Sequence, residues 1–354
     1  MIFRISCVFF QKKRKYSTCR LHFTVYRCTL LFRGKPAFGR KLFVEQSGGV
    51  LDMTRSVAEE IIRLKKESGA FIFAHNYTLP EVQDIADFTG DSLELSIRAK
   101  EVKAEKIVFC GVSFMAETAK ILSPDSKVLH PVPASGCAMA DMAVAEKVAE
   151  YRKNHPGTVI VAYVNTTAAV KAEVDICCTS ANAEKIVASI PADKNILFLP
   201  DRNLGRNVMN SLGRKMELWP GYCPVHNNID VKMLEEARRL HPGAAIMVHP
   251  ECPEEVVKNA EYAMSTGAML RFLPNAKEKE FIVGTEEGIL HRMRKENPDK
   301  IFYPLLPQII CPDMKKITLE DVLKSLKEEV YEVKLPVETM NRARKAIENM
   351  LAVK

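Results

Sequence analysis

The chain repeats itself three times, and that repetition limits its fold more than any other feature. The stretch GAFIFAHNYTLPEVQDIADFTGDSLELS from Gly69 aligns with TVIVAYVNTTAAVKAEVDICCTSANAEK from Thr158 and with GAAIMVHPECPEEVVKNAEYAMSTGAML from Gly243. Each opens on a short apolar run that reads as a buried strand. Each run ends in a triplet: His75-Asn76-Tyr77, Tyr163-Val164-Asn165 or His249-Pro250-Glu251. Seventeen residues after the first member of each triplet stands a hydroxyl, on Ser92, Ser180 or Thr266. A second strand follows each time, KIVFCG, NILFLPD or EFIVGTE, with a helical stretch behind it. A third extended run closes each repeat at a cysteine: Cys137, Cys223 and Cys311. These lie 86 and 88 residues apart, against 88 and 86 between the triplets.

Strand and helix alternate within each repeat, which predicts parallel sheets with right-handed crossovers. The fold class is α/β: three related sandwich domains, each with a short parallel sheet, about a pseudo-threefold axis. Ligands of such sheets bind beyond the carboxyl ends of the strands. The triplets and the three cysteines all sit at such ends, so they are expected to meet at one central cavity. The boundaries read as 53–140, 141–226 and 227–315 for the repeats. Two amphipathic helices in 316–354 are expected to pack back on the body.

Residues 1–52 stand apart, with eleven Lys and Arg against two acids. The segment reads as a start assigned too early, a transit peptide or a basic arm. Ser56 and Glu59, just after Met53, are expected to form a capping box at the start of the first helix. The rest of the chain is slightly acidic, which argues against nucleic-acid binding by the body. No run of 18 apolar residues exists, so no membrane span is expected.

Besides Cys7, Cys19 and Cys28 in that segment, the body holds seven cysteines. Their odd number and the lack of a secretory signal suit a reduced, cytoplasmic protein rather than a disulfide framework. Cys110, Cys177 and Cys178 read as small apolar packing groups. Cys137, Cys223 and Cys311 each adjoin Gly or Pro in loop-like sequence, where three thiolates suit a soft metal centre. Zinc-ribbon spacing is absent. A cubane iron–sulfur cluster normally takes four thiolates, so three would leave one iron open. The alternative is three buried thiols left by an ancestral duplication.

The motifs HNYTLPEVQDIADFTGDSLELS, YVNT, HPEC, STGAM, VGTEEGILHRM and CPDMKKITLE together resemble the quinolinate synthase family over about residues 55–330. The resemblance implies a triangle of three α/β domains around one [4Fe–4S] cluster. It implies a transferase that condenses iminosuccinate with dihydroxyacetone phosphate to quinolinate in de novo NAD biosynthesis. It also implies an aspartate oxidase or dehydrogenase as the partner that supplies iminosuccinate. Cys137, Cys223 and Cys311 match the cluster ligands. His75, Ser92, Tyr163, Val164, Asn165, Ser180, His249, Pro250, Glu251 and Thr266 match the substrate-contacting positions. One branch of the family carries Cys-x-x-Cys-x-x-Cys at the third ligand; here the run is Cys311-Pro312-Asp313-Met314, the three-cysteine branch.

Physical chemistry suggests the roles. Ser92, Ser180 and Thr266 are each expected at a helix start, where a hydroxyl and free N–H groups favour anions. His75, Tyr77, His249 and Glu251 are candidates for proton transfer. His226 and His291 read as surface or capping residues and are left out. Two rival readings are another metal-dependent aldolase or hydro-lyase on the same thiolates, and a non-enzymatic iron–sulfur module.

Overall fold

Three four-stranded sheets, every pairing parallel, form the frame of the computed structural model, which describes residues 48–305 and 309–353. The basic segment and its three cysteines lie outside the described residues. The first repeat supplies β1 (Phe71–His75), β2 (Phe88–Gly90), β3 (Lys106–Cys110) and β4 (Lys127–Leu129). The second supplies β5 (Val159–Tyr163), β6 (Ile176–Cys178), β7 (Ile196–Leu199) and β8 (Glu217–Leu218). The third supplies β9 (Ala245–Val248), β10 (Tyr262–Ala263), β11 (Glu280–Gly284) and β12 (Ile301–Pro304). Strand order is the same in all three: β2-β1-β3-β4, β6-β5-β7-β8 and β10-β9-β11-β12. The short second strand of each sheet is absent from the sequence reading, being only two or three residues long.

The registers are equivalent as well. Ala74 pairs Cys110, Ala162 pairs Leu199 and Val248 pairs Gly284. One anchor recurs in each repeat. A carboxylate fifteen residues on accepts the backbone N–H of the first strand at 2.8 Å: Asp87 from Ile72, Asp175 from Ile160, Glu261 from Ile246. The helix before that strand adds a cation to it: Lys65 at 2.9 Å, Arg152 at 3.0 Å and Arg238 at 2.7 Å.

The first strands are buried on both faces, as parallel sheets require. In β1, Ile72 and Ala74 face the helices Gly48–Ser68 and Leu319–Glu328, while Phe73 faces the opposite core with Phe109, Phe114 and Leu95. The last helix, Val337–Ala352, buries Ala343, Ala346, Ile347 and Met350. Arg344 reaches Ile121 O at 2.8 Å and Asn349 reaches Asp175 O at 2.9 Å, which ties the first two repeats together. No described helix is long and apolar enough to cross a membrane.

One expectation fails. The first helix starts at Gly48, so Ser56 is an exposed residue inside it rather than its cap. Residues 49–55 contain no proline, and extending a helix that has already nucleated is cheap.

Candidate active site

The strand ends open on a cavity of about 160 Å³. Equivalent positions of all three repeats line it: His75, Tyr163 and His249; Tyr77, Asn165 and Glu251; Ser92, Ser180 and Thr266; Cys137, Cys223 and Cys311. Val164 and Pro250 do not. Val164 is buried in the apolar core, and the Pro250 carbonyl accepts from Asn207 at 2.9 Å. The middle residue of each triplet lies in the turn just past its strand and does not line the cavity.

Each cysteine opens a tight turn. The amides of Asp141, Asn227 and Lys315, four residues on, return to the carbonyls of Cys137, Cys223 and Cys311 at 3.1, 2.9 and 3.3 Å. Amides inside each turn face the sulfur: those of Met139 and Ala140 at Cys137, His226 at Cys223, and Asp313 and Met314 at Cys311. Burial raises all three thiols, Cys137 to about 12, with the neighbouring thiols adding to the effect at Cys137 and Cys223. The seven described cysteines are free. Cys110, Cys177 and Cys178 are buried in strands. Cys252, buried in the turn after β9, donates toward Gly284 O at 3.8 Å. It takes the place of Thr78 and Thr166, whose hydroxyls close the corresponding turns at 2.9 and 3.2 Å.

The triplets hold the polar groups in a linked set. The Tyr77 and Glu251 backbone N–H groups donate to Nδ1 of His75 and His249, at 3.2 and 3.3 Å. A neutral imidazole accepting at Nδ1 carries its proton on Nε2. Burial holds both rings neutral, pulling each down to about 3. Glu251 is buried and accepts from Tyr163 Oη at 2.5 Å and from His226 Nδ1 at 2.8 Å. Burial pushes its carboxyl up, yet the imidazoles and the Tyr163 hydroxyl together hold it below the usual carboxylate range. Because His249 is itself neutral, the hydrogen bonds from Tyr163 and His226 carry that ionisation. Beyond His226, Nε2 lies 2.8 Å from Thr285 Oγ1, which lies 2.6 Å from Tyr77 Oη. Side chains of all three repeats thus share one hydrogen-bonded chain.

His226 corrects the sequence reading. It is buried at 2 % exposure, stacks on His249 with centroids 4.7 Å apart and lines the cavity. Its place in the turn after a repeated cysteine was the signal. His291 behaves as expected, half-buried at the periphery beside Asp84 at 3.0 Å. Glu286 is a second residue missed. It lines the cavity and accepts from the Cys311 N–H at 3.1 Å and from Lys315 Nζ at 2.8 Å. It stands two residues past β11, a strand-end position like those of the triplets.

Two of the three hydroxyl-bearing residues stand at helix starts, as expected, and Ser180 does not. The caps are Asp91 and Ser265, one residue earlier, so Ser92 and Thr266 are the first helical residues. Ser180 precedes the next helix, Ala183–Ser189, by three residues. There the Thr179 N–H donates to Asn182 Oδ1 at 2.7 Å, a local bond that competes with helix formation. Asp91 also reaches across to the third repeat, accepting from the Gly267 N–H at 3.2 Å and from Ser265 Oγ at 3.3 Å. A Cβ at residue 267 would run into the Asp91 carboxylate, so this close approach needs glycine. Asn76 Nδ2 donates to Thr266 Oγ1 at 3.2 Å and fixes that hydroxyl. Asn165 Oδ1 is buried without a hydrogen-bond partner.

Comparison with known proteins points the same way. Residues 59–352 match the family described as Quinolinate synthetase A protein. A quinolinate synthase of Thermodesulfovibrio yellowstonii is 48% identical over 302 residues, covering 85% of this chain and 99% of that protein. One from Dehalococcoides mccartyi is 50% identical over 297 residues, covering 84% and 98%. One from Methanoregula boonei is 48% identical over 303 residues, covering 86% and 100%.

Proposed function

The chain belongs to the quinolinate synthetase A family, and from that membership we propose that it is a quinolinate synthase. It condenses iminosuccinate with dihydroxyacetone phosphate to quinolinate, phosphate and water in de novo NAD biosynthesis. The observation that carries this reading is the meeting of three equivalent cysteines and three equivalent strand-end triplets at one cavity.

The donor set suits a [4Fe–4S] cluster, one per chain. Cys137, Cys223 and Cys311 line the same space, and turn amides face each sulfur. Hydrogen bonds to sulfur stabilise the thiolate and tune such clusters. When bound, the cluster supplies a Lewis acid at the iron that lacks a protein ligand.

The protein's own groups do the rest. Ser92, Ser180 and Thr266 offer hydroxyls to the carboxylates and phosphate of the substrates. Asn165 Oδ1 awaits a donor, since a buried acceptor left unpaired costs about 1–3 kcal/mol. His75 and His249 present neutral N–H groups suited to polarising a carbonyl or imine without adding positive charge. Glu251 is the proton acceptor, with Tyr163 and His226 holding its two oxygens. The Tyr77–Thr285–His226 chain gives a path along which a proton leaves or reaches that carboxylate. Enclosure strengthens each of these interactions.

An imine such as iminosuccinate is open to hydrolysis, so the reading includes an aspartate oxidase or dehydrogenase that supplies it. The free cysteines suit a cytoplasmic, reducing setting. Anaerobically purified protein, given both substrates, is expected to be brown and to release quinolinate. A colourless zinc protein that forms no quinolinate would overturn the reading.

A further inference from the structure

Cys223, His226 and Glu251 place one donor atom each within 4.8 Å of the other two. His226 Nδ1 lies 3.3 Å from Cys223 Sγ and 2.8 Å from a Glu251 oxygen. Zinc ligands sit at about 2.0–2.3 Å from the metal, which in a tetrahedron puts donors roughly 3.3–3.7 Å apart. The sulfur–nitrogen separation already matches, and the nitrogen–oxygen pair needs to open by about half an ångström to reach that range. We propose that the protein without its cluster binds one zinc ion at Cys223, His226 and Glu251, with the fourth position open to the cavity.

The surroundings are those of a built metal site. A metal-bound histidine needs its other nitrogen held, and here Nε2 has Thr285 Oγ1 at 2.8 Å. A threonine hydroxyl accepts as readily as it donates, so Thr285 serves the ring when Nε2 carries the proton. The second Glu251 oxygen is held by Tyr163 at 2.5 Å. Sulfur, imidazole and carboxylate suit zinc, and all three side chains are already in place with little exposure. Cys223 is also one of the three proposed cluster thiolates. On that reading, zinc and cluster exclude each other, and zinc at this site blocks cluster assembly while leaving Cys137 and Cys311 free.

The test uses full-length protein from which iron and sulfide have been removed, titrated anaerobically with Co²⁺ as an absorbing stand-in, with Zn²⁺ as competitor. One Co²⁺ per chain is expected, with a sulfur-to-cobalt charge-transfer band and the intense d–d absorption of a tetrahedral site. Cys223→Ser removes the charge-transfer band, and His226→Gln weakens binding. Cys137→Ser and Cys311→Ser keep both band and affinity. Thr285→Val lowers Co²⁺ affinity about 10–100-fold, and Thr285→Ser restores it. Circular dichroism melts show which variants remain folded, and the Thr285 pair decides the matter if Cys223→Ser does not fold. Zinc-loaded protein is expected to take up far less cluster on reconstitution than metal-free protein. No Co²⁺ binding, or binding lost equally in Cys137→Ser or Cys311→Ser, would overturn the proposal. If the wild type takes up no cluster at all, the proposed function fails, yet the Co²⁺ titration still decides this site.

Discussion

Tyr163 and Glu251 meet at 2.5 Å, hydroxyl to carboxylate, across the boundary between the second and third repeats. Glu251 corresponds in its own repeat to Asn165, two residues past Tyr163. The contact therefore joins two triplets and places one ionised group at the wall of the cavity. Glu251→Gln is expected to keep the brown cluster and lower kcat by about 10²–10⁴-fold, the usual range for one general acid or base. Loss of the cluster in that variant, or full turnover, would remove Glu251 from its proposed role.

Asn165 makes a different prediction, because its Oδ1 is buried with no partner in the protein. Asn165→Leu keeps the branched shape and removes the unpaired acceptor. The empty protein is expected to melt no lower than the wild type, while KM rises about tenfold or more, the equivalent of one lost hydrogen bond. A large fall in Tm with unchanged KM would mean that Asn165 serves packing alone.

Burial lowers the His75 imidazole from 6.5 to about 3. His249, Glu251 and Lys315 also act on it, Glu251 in the opposite sense. The unfolded chain binds this proton more readily than the folded one. Stability linked to His75 is therefore present above about pH 6.5 and is lost as pH falls, by up to about 1.4 kcal/mol per pH unit down to about pH 3. Urea midpoints of the cluster-free protein are expected to fall less steeply below pH 6.5 in His75→Gln than in the wild type. Parallel curves would contradict this.

The repeated carboxylate anchor gives a stability test free of the chemistry. Asp87, Asp175 and Glu261 each hold a strand N–H at 2.8 Å and a cation from the preceding helix. All three are partly exposed, so solvent weakens the pairs. Alanine at any one is expected to cost about 1–2 kcal/mol by denaturant unfolding, with the cluster spectrum unchanged. The three losses are expected to add, since the anchors lie in separate sheets.

The repeat made much of this legible from sequence. Equivalent spacing located the triplets, the three cysteines and the α/β class, because a parallel sheet puts chemistry at strand ends. What stayed hidden has physical causes. The edge strands such as Tyr262–Ala263 are too short to show a period. His226 and Glu286 carry no apolar pattern and acquire their role only when turns from different repeats close together. Ser180, expected at a helix start like Ser92 and Thr266, stands three residues ahead of its helix, because the Thr179 N–H bonds Asn182 Oδ1 locally instead.

Three equivalent cysteines, one per repeat, are proposed to hold the cluster. Iron and sulfide content, with the visible spectrum, measured anaerobically on single Cys→Ala variants of all seven body cysteines, tests this most directly. Cys137→Ala, Cys223→Ala and Cys311→Ala are each expected to lose the cluster, while Cys110→Ala, Cys177→Ala, Cys178→Ala and Cys252→Ala retain it. Retention in any of the first three, or loss in a folded variant of the other four, would show that these cysteines are not the ligands.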